Sequence, residues 1–259
     1  MATFLFDKIV FGPVNSRRLG TSLGINLLPA EKKLCNFDCV YCECGWSHIH
    51  KIKRSDLPSR EEVRNELIRV LTEMRSKGLE PDVITYAGNG EPTMHPEFEY
   101  IAEDIYNIRN ELIPGCRISL LCNSSLLHKK QIIRSLSFID QNILKLDTAI
   151  EESFIRINKP DRGIKLEKII HELEKIEVPI TIQTLFLRGK GSLAGIDNTT
   201  EEEISALLEA YRRIDPEAIM VYSFYRDTPT ADLEMIQKEE LSRIANRIEK
   251  EGFRVELTG

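Results

Sequence analysis

Residues 35–42 read Cys-Asn-Phe-Asp-Cys-Val-Tyr-Cys and place Cys35, Cys39 and Cys42 on one short loop with the spacing C-x3-C-x2-C. Iron prefers sulfur ligands, and the short spacers let the chain wrap around an inorganic core. Three cysteines hold three corners of a cubane iron–sulfur cluster and leave the fourth iron with an exchangeable site. By analogy with catalytic zinc, an open coordination position is typical of a centre that performs chemistry.

A structural zinc knuckle is the alternative interpretation of this loop. Cys44, His48 or His50 would then complete a set of four ligands around one zinc ion. Paired C-x2-C spacings are typical of such knuckles, and this sequence does not contain them. The spacing therefore favours the iron–sulfur cluster. The crowding of four of the six cysteines into ten residues favours metal ligation in a reducing compartment over a disulfide scaffold.

The cysteine loop closely follows the first of six predicted strands, each rich in Val, Ile, Leu and Tyr. Strand and helix patterns alternate along the chain, which indicates parallel strands joined by right-handed crossovers. An open doubly wound sheet and a partial barrel both fit this pattern, because periodicity alone does not separate them. The predicted strands cover residues 22–28, 82–87, 117–122, 142–148, 179–187 and 218–224.

Two predicted helices begin at capping boxes, Ser59 with Glu62 and Thr200 with Glu203. The first helix carries an apolar stripe and ends before Gly78. Three further helices are predicted over residues 96–110, 126–136 and 164–174. The last helix precedes Gly252, and its apolar stripe comprises Ile236, Leu241, Ile244 and Ile248.

Composition narrows the class of protein. The chain has 259 residues, of which 42% are hydrophobic, so it has enough apolar side chains for a sizeable core. Its 35 Lys and Arg against 41 Asp and Glu give a net charge of −6, which argues against a non-specific nucleic-acid binder. No apolar run approaches the ~20 residues of a membrane helix, and no signal peptide is evident. We expect a soluble cytoplasmic protein that does not associate with a membrane.

The loop resembles the signature of the radical S-adenosylmethionine (SAM) superfamily, in which an aromatic residue, here Tyr41, precedes the third cysteine. The second predicted strand runs into Asn89-Gly90-Glu91-Pro92, which is similar to the superfamily's Gly-Gly-Glu-Pro motif with its first glycine replaced. The resemblance implies an α/β fold, a partial (β/α)6 TIM-like barrel of parallel strands. We therefore predict a single domain over residues 1–259, with an N-terminal arm (1–21), the partial barrel (22–251) and a C-terminal strand (252–259).

The resemblance also implies two cofactors, a [4Fe-4S] cluster and SAM, which chelates the unique iron. Glu91 is then expected to bind the methionine amine. Further residues at strand ends are expected to contact SAM or the substrate, although a salt bridge between Lys145 and Asp147 is an equally good interpretation of the fourth strand. The expected cofactor-binding residues are Tyr41, Asn89, Gly90, Glu91, Asn123, Ser124, Asp147 and Gln183, and the expected metal ligands are Cys35, Cys39 and Cys42.

Residues 11–26 and later stretches resemble one branch of the superfamily, the iron–sulfur oxidoreductases related to the tRNA wyosine-base (4-demethylwyosine) synthase. That synthase uses a second cluster upstream of the SAM motif, and no cysteine precedes Cys35, so its substrate chemistry is not transferred. Arg226, after the sixth strand, is expected at the barrel mouth opposite the cysteine loop. There it would bind an anionic substrate or, alternatively, form a surface pair with Asp227 or another carboxylate.

The predicted activity is that of an enzyme that cleaves SAM reductively and abstracts hydrogen from a substrate. The implied partners are a one-electron donor such as flavodoxin or ferredoxin and an unidentified substrate. Kinship and scattered cations suggest a tRNA base, whereas a peptide or small metabolite fits the acidic balance at least as well. A zinc-stabilised binding module without catalysis is the alternative from another class. The cations are Arg17, Arg18, Lys51, Lys53 and Arg54.

Overall fold

Strands and helices alternate through the computed structural model, which describes residues 4–16, 19–47 and 53–258. The strands are β1 (Val10–Ser16), β2 (Gly20–Ile25), β3 (Val83–Tyr86), β4 (Arg117–Cys122), β5 (Gln141–Lys145), β6 (Ile180–Leu185), β7 (Leu187–Gly189), β8 (Ala218–Tyr222), β9 (Leu233–Met235) and β10 (Val255–Thr258). The helices are α1 (Arg60–Ser76), α2 (Phe98–Leu112), α3 (Lys130–Ser135), α4 (Glu151–Asn158), α5 (Leu166–Leu173), α6 (Glu201–Ile214) and α7 (Lys238–Lys250).

Eight of these strands form one sheet in the order β1-β2-β3-β4-β5-β6-β8-β10. β1 is antiparallel to β2, and every later pair is parallel. β7 and β9 form a separate antiparallel pair. The six predicted strands correspond to β2, β3, β4, β5, β6 and β8, so the predicted α/β fold with a parallel sheet is confirmed. Because parallel strands point the same way, their carboxyl ends meet at one edge of the sheet, where α/β enzymes place their sites.

One face of the sheet packs against the helices. Leu23, Ile84, Leu120, Leu144 and Ile182 lie on this face and belong to the main hydrophobic cluster, which also contains the buried residues of the helices. Each fully buried Leu or Ile contributes roughly 1.5–3 kcal/mol relative to an exposed one. This cluster therefore supplies most of the driving force that holds the crossovers against the strands.

The opposite face is more polar. Thr85, Ser119 and Gln141 are aligned across three neighbouring strands, and Lys145 is aligned with Gln183. Four apolar residues on this face, together with Leu121, form a small cluster that includes no helical residue: Leu19, Val83, Ile143 and Met220. A sheet with helices packed on one face and a separate inner cluster on the other is a barrel wall, whereas a doubly wound sheet carries helices on both faces. The predicted partial barrel is confirmed.

Several local features differ from the predictions. The expected N-terminal arm contains β1, and neither α4 nor the β7–β9 pair was predicted. Ser59 and Glu62 form the predicted capping box of α1. The second capping box is wrong in one of its two bonds: the Thr200 hydroxyl accepts from the Glu203 N–H at 3.3 Å, but the Glu203 carboxylate accepts a 2.6 Å bond from Thr148. The buried hydroxyl of Thr148 binds the Glu203 carboxylate, which therefore does not cap the start of α6.

Ile236, predicted within the last helix, precedes α7 and is buried beside it. In the described part of the chain, no helix is both long enough and apolar enough to cross a membrane.

Candidate functional site

The strand-end motif after β3 holds the start of the cysteine loop. The N–H of Leu34 donates to the Asn89 carbonyl at 2.8 Å, and the N–H of Glu91 donates to the Leu34 carbonyl at 3.0 Å. Gly90 lies between these two bonds with φ of 139°, and a Cβ there would lie 1.8 Å from the Leu34 carbonyl oxygen. Only glycine fits at this position, because a side chain would force Leu34 and the adjoining Cys35 away from β3.

The chain after α4 supports the other side of the loop. Val40 N–H donates to the Ile157 carbonyl at 2.9 Å, and Asp38 N–H donates to the Lys159 carbonyl at 3.1 Å. Lys159 adopts the left-handed conformation, with φ of 42°, which ends α4 and turns its carbonyl towards the loop. The three predicted ligands are thus held between β3 and α4 at the carboxyl edge of the sheet.

Polar groups from outside the loop contact two of the ligand sulfurs. The Asn158 side-chain amide donates to Cys39 Sγ at 3.4 Å, and the Asn123 amide lies 3.6 Å from Cys35 Sγ. The N–H of Phe37 also donates to Cys35 Sγ, at 3.4 Å. Burial raises the pKa of Cys35 and of Cys39, so the chain alone disfavours their thiolates. A bound iron centre would supply the positive charge that the thiolates need.

Cys42 and Cys44 interact with each other. A hydrogen bond with the Cys44 thiol lowers the pKa of Cys42, and the Gly88 carbonyl, 3.4 Å from Cys44 Sγ, is an alternative acceptor for the single hydrogen of that thiol. Among the described residues, no three His, Cys, Asp or Glu side chains converge on one point as closely as a single metal ion requires. His48 and His50, which would complete a zinc knuckle, lie outside the described residues.

The donor set therefore fits an iron–sulfur cluster. Three thiols lie on one loop, and N–H donors from Asn123 after β4, from Asn158 in α4 and from the loop itself point at the sulfurs of Cys35 and Cys39. Sulfur that bridges or ligates iron accepts such hydrogen bonds, and they are one of the means by which proteins set a cluster's reduction potential.

Tyr41 connects the loop to β5 through a buried polar network. Its hydroxyl donates to Asp147, and the Lys145 ammonium donates to the same hydroxyl. Asp147 also accepts from the Asn158 amide at 2.7 Å and from the Leu185 N–H at 3.1 Å, so both of its oxygens have protein partners. The structure therefore has the Lys145–Asp147 pair that was the alternative for this strand, with a separation of 3.7 Å.

Lys145 keeps its charge in this network. Burial alone would lower the pKa of its ammonium, but Asp147 and neighbouring groups raise that pKa above its ordinary value. The ammonium also lies 4.6 Å from the centre of the Tyr41 ring. Lys145 lies on the inner face at the end of β5 and is half-buried. It is thus a fixed positive charge beside the cysteine loop, which the sequence analysis considered only as a partner of Asp147.

The carboxylate of Glu91 is enclosed by the protein and has three hydrogen-bond donors. Oε1 accepts from the N–H of Thr93 at 3.1 Å and from its hydroxyl at 2.5 Å, while Oε2 accepts from the Asn123 N–H at 2.6 Å. Burial raises the pKa of this carboxyl. Sequence analysis expected Glu91 to bind the methionine amine. In the structure it caps the turn after β3 and fixes the end of β4, which in turn orients the Asn123 amide.

The remaining predicted residues are distributed around the same edge. The Asn89 side chain binds the N-terminal segment, accepting from Phe6 N–H and donating to Phe6 O, both at 2.8 Å. Ser124 has a positive φ of 69° and donates to the Lys145 carbonyl at 3.0 Å. The Gln183 amide faces Met220 on the inner face, with 3.5 Å between its nitrogen and the thioether sulfur. The Asn89 amide is thus bonded to the backbone of this chain, whereas the Ser124 hydroxyl donates its hydrogen to Lys145 and can still accept a hydrogen bond.

The sequence predicted Arg226 opposite the cysteine loop, but the structure places it against the end of that loop. Its guanidinium forms a 2.7 Å ion pair with Glu43, which directly follows the last predicted ligand. Arg226 lies in the segment after β8, and its contact with Glu43 brings this segment to the end of the cysteine loop. Both side chains are about half exposed, and the alternative of a surface ion pair describes this arrangement, with Glu43 as the partner.

Comparison with known proteins identifies the architecture. The radical SAM superfamily model matches residues 33–210, which is more than half of the chain and includes the cysteine loop and the strands β3 to β6. The chain belongs to the radical SAM superfamily. Members of the superfamily use a [4Fe-4S] cluster and SAM, and the predicted cofactors are therefore confirmed at the level of the superfamily.

Similar sequences include UPF0026 proteins of Synechocystis and of Methanocaldococcus jannaschii. The first is 33% identical over 77% of this chain and 70% of its own length, and the second is 29% identical over 80% and 61%. A Brachyspira hyodysenteriae protein described as GTPase Obg is 30% identical over 92% of this chain but only 33% of its own length. This chain thus spans only part of several relatives.

Solved structures share the fold of this chain at low sequence identity. TYW1 with a lysine-pyruvate adduct bound has a TM-score of 0.64 and 20% identity, and the match covers 90% of this chain and 74% of that one. Streptococcus suis SuiB bound to S-adenosylmethionine has a TM-score of 0.62 and 13% identity, with coverage of 91% and 50%. Both support the partial-barrel architecture.

Sequence analysis missed Asn158 and Lys33, two polar residues whose side chains are buried next to the cysteines. Asn158 lies 119 positions from the sulfur that it contacts, so no local spacing could reveal it. Lys33 lies two positions before the first ligand. A lysine so close in sequence to a predicted metal-binding loop indicates a charge near the metal.

Proposed function

We propose that this protein is a radical SAM enzyme that cleaves S-adenosylmethionine reductively and abstracts a hydrogen atom from a polar substrate. The observation that carries this proposal is the arrangement of three thiols on one loop, with the amide of Asn123, after β4, directed at the sulfur of Cys35 and that of Asn158, in α4, directed at the sulfur of Cys39. When a one-electron donor such as flavodoxin or ferredoxin has reduced it, the cluster supplies the electron that converts SAM to methionine and a 5′-deoxyadenosyl radical.

The residues of this chain would bind and orient the reactants. Asn123 and Asn158 hold the sulfur side of the site, and the Tyr41–Asp147 network fixes the loop against β5 and β6. Lys145 presents a half-buried positive charge, beside Asp147, that suits a carboxylate such as that of the methionine moiety or of the substrate. Asp147, Glu91 and Asn89 act by positioning, because their polar atoms already have protein partners.

The inner face of the sheet favours a polar substrate. Towards the carboxyl edge, Lys145 and Tyr222 are half-buried on this face and Gln183 is buried between them. Hydroxyl and amide groups in such a wall can replace the water that a polar substrate loses on binding. We therefore favour a small metabolite or a peptide as the substrate.

A tRNA base remains the second candidate for the substrate, suggested by kinship with the wyosine-base synthase branch. Among the cations that suggested it, the Arg54 guanidinium is paired with Glu97. Arg17, Arg18 and Lys51 lie outside the described residues. The net charge of −6 also gives the chain no general attraction for RNA.

Anaerobic reconstitution with iron and sulfide tests the proposal. We expect about four irons per chain, an absorption band typical of iron–sulfur proteins, and release of 5′-deoxyadenosine when SAM and dithionite are added. Cys39→Ala should lose the cluster, whereas Cys116→Ala, which removes a buried cysteine outside the loop, should retain it. A colourless protein that binds one zinc and leaves SAM intact would instead establish the zinc-stabilised module.

The substrate class can be tested with the same preparation. Incubation with deuterated cell extract separated into small-molecule, peptide and RNA fractions should transfer deuterium to 5′-deoxyadenosine from one fraction only. Transfer from the RNA fraction would contradict the preference for a small metabolite or a peptide.

A further inference from the structure

Lys33 is a buried lysine immediately before the cysteine loop. Its side chain is only 2% exposed, although burying an ammonium costs several kcal/mol unless the charge is compensated. Its Nζ donates to Asp38 Oδ1 at 3.1 Å and to the Gly45 carbonyl at 3.0 Å. Lysines are almost never this buried without a partner that requires them there.

The two bonds of Lys33 join the beginning of the loop to its end. Gly45 follows the last predicted ligand by three positions, and its N–H donates to the Cys42 carbonyl at 2.9 Å. Asp38 lies between the first two ligands and also accepts from the Ser47 N–H at 2.6 Å. The ammonium is therefore enclosed by the segment that carries all three thiols.

Asp38 alone does not neutralise the positive charge of the buried Lys33 ammonium. The Asp38 side chain is 31% exposed, so solvent screens its carboxylate and it compensates the buried ammonium only in part. The hydrogen bond of Lys33 to Gly45, which itself bonds to Cys42, and the position of Asp38 between Cys35 and Cys39 keep the ammonium beside the backbone that carries the thiols. Lys33 is therefore a fixed positive charge beside the iron–sulfur cluster that the three cysteines would ligate.

We infer that Lys33 positions the cysteine loop and raises the reduction potential of the cluster bound there. Reduction adds one negative charge to the cluster, and a nearby buried cation stabilises the reduced form more than the oxidised form. Lys33 would thereby make reduction by a donor easier. This inference rests on the proposed function, because it requires a cluster on Cys35, Cys39 and Cys42.

Two substitutions separate an electrostatic role from a purely structural one. Lys33→Met removes the cation, and Asp38→Asn removes the carboxylate that partly neutralises it while keeping an oxygen for Ser47. Both substitutions break the ion pair between Lys33 and Asp38. If that pair mattered only for the structure of the loop, the cluster's midpoint potential would shift in the same direction in both variants. An electrostatic role predicts opposite shifts, to a lower potential in Lys33→Met and a higher one in Asp38→Asn.

The midpoint potential of the reconstituted protein is measured by redox titration followed by electron paramagnetic resonance, with iron counted in each sample. Lys33→Arg should restore the potential towards that of the wild type. Lys32→Met is the matched control, because Lys32 is the neighbouring lysine, is 41% exposed and pairs with Asp56 away from the thiols. Its potential should equal that of the wild type.

The outcomes distinguish this inference from the proposed function. If the wild type assembles no cluster, the proposed function fails. If the wild type assembles a cluster and cleaves SAM, but Lys33→Met leaves the potential unchanged or Asp38→Asn lowers it, only the role of Lys33 is overturned. Should Lys33→Met not take up iron, the sign of the Asp38→Asn shift still decides. An equal shift in Lys32→Met would also overturn the inference, because it would indicate an effect of net charge alone.

Discussion

Replacing Gly90 by alanine should displace the cysteine loop. The added Cβ would lie 1.8 Å from the Leu34 carbonyl oxygen and 2.4 Å from its carbonyl carbon. Both are backbone atoms, so no side chain can move aside. Relief of the contact requires the motif after β3 and the residue before Cys35 to separate by more than an ångström.

The size of the effect follows from the backbone geometry. A non-glycine residue at φ of 139° costs roughly 1–3 kcal/mol. Separation also breaks the Leu34–Asn89 and Glu91–Leu34 hydrogen bonds, each of which contributes about 0.5–1.5 kcal/mol. The total loss is about 2–6 kcal/mol, a large part of the roughly 5–15 kcal/mol that stabilises a typical domain. We expect a lower urea midpoint and little iron after reconstitution.

Gly78→Ala is the matched control. Gly78 follows α1 with φ of 68°, and a Cβ there would have no heavy atom within 4 Å. This variant should therefore lose only the strain of the left-handed conformation, about 1–2 kcal/mol, and should bind as much iron as the wild type. If Gly90→Ala retains full iron and is no less stable than Gly78→Ala, the assignment of Gly90 to holding the loop is wrong.

Three further substitutions test other parts of the site. Glu91→Gln leaves either the Thr93 or the Asn123 backbone N–H facing an amide NH2, so unfolding should show a loss of about 1–3 kcal/mol; an unchanged urea midpoint would contradict the observed hydrogen bonds. Asn158→Leu removes the donor to Cys39 Sγ and should lower the cluster's midpoint potential, and a raised potential would refute that role. Arg226→Ala should leave iron content and SAM cleavage without substrate near wild type, because its exposed pair with Glu43 is worth at most about 1 kcal/mol; loss of SAM cleavage would place Arg226 in the cofactor site.

The sequence predicted those parts of the fold that are encoded locally. The strand predicted over residues 117–122 matches β4, and Ser59 caps α1 as expected, because periodicity and side-chain caps act within a few residues. α4 was missed although α5 has the same length of eight residues, because α4 buries only two apolar side chains whereas α5 buries four, so the helical period of α4 is weaker. β1 was missed because its partner strand, rather than its own sequence, stabilises an edge strand.

The site shows the same division. The spacing of Cys35, Cys39 and Cys42 is a local feature of the sequence, and it was enough to predict these three residues as ligands. The partners of Asp147 were not predictable, since they come from the cysteine loop, from α4 and from β6. Whether a strand-end carboxylate is available to a ligand depends on which donors the tertiary fold brings to it. Sequence patterning could identify that carboxylate but could not determine its partners.

The polar contacts around the site fall into two groups that differ in how much they resist movement. The contacts on the ligand side, between Asp147 and Tyr41 and between Asn123 and Glu91, are buried, so breaking one leaves an unpaired polar group that costs about 1–3 kcal/mol. The contact between Arg226 and Glu43 is half exposed and is worth at most about 1 kcal/mol. Breaking the Arg226–Glu43 pair is therefore expected to cost less than breaking one of the buried contacts on the ligand side.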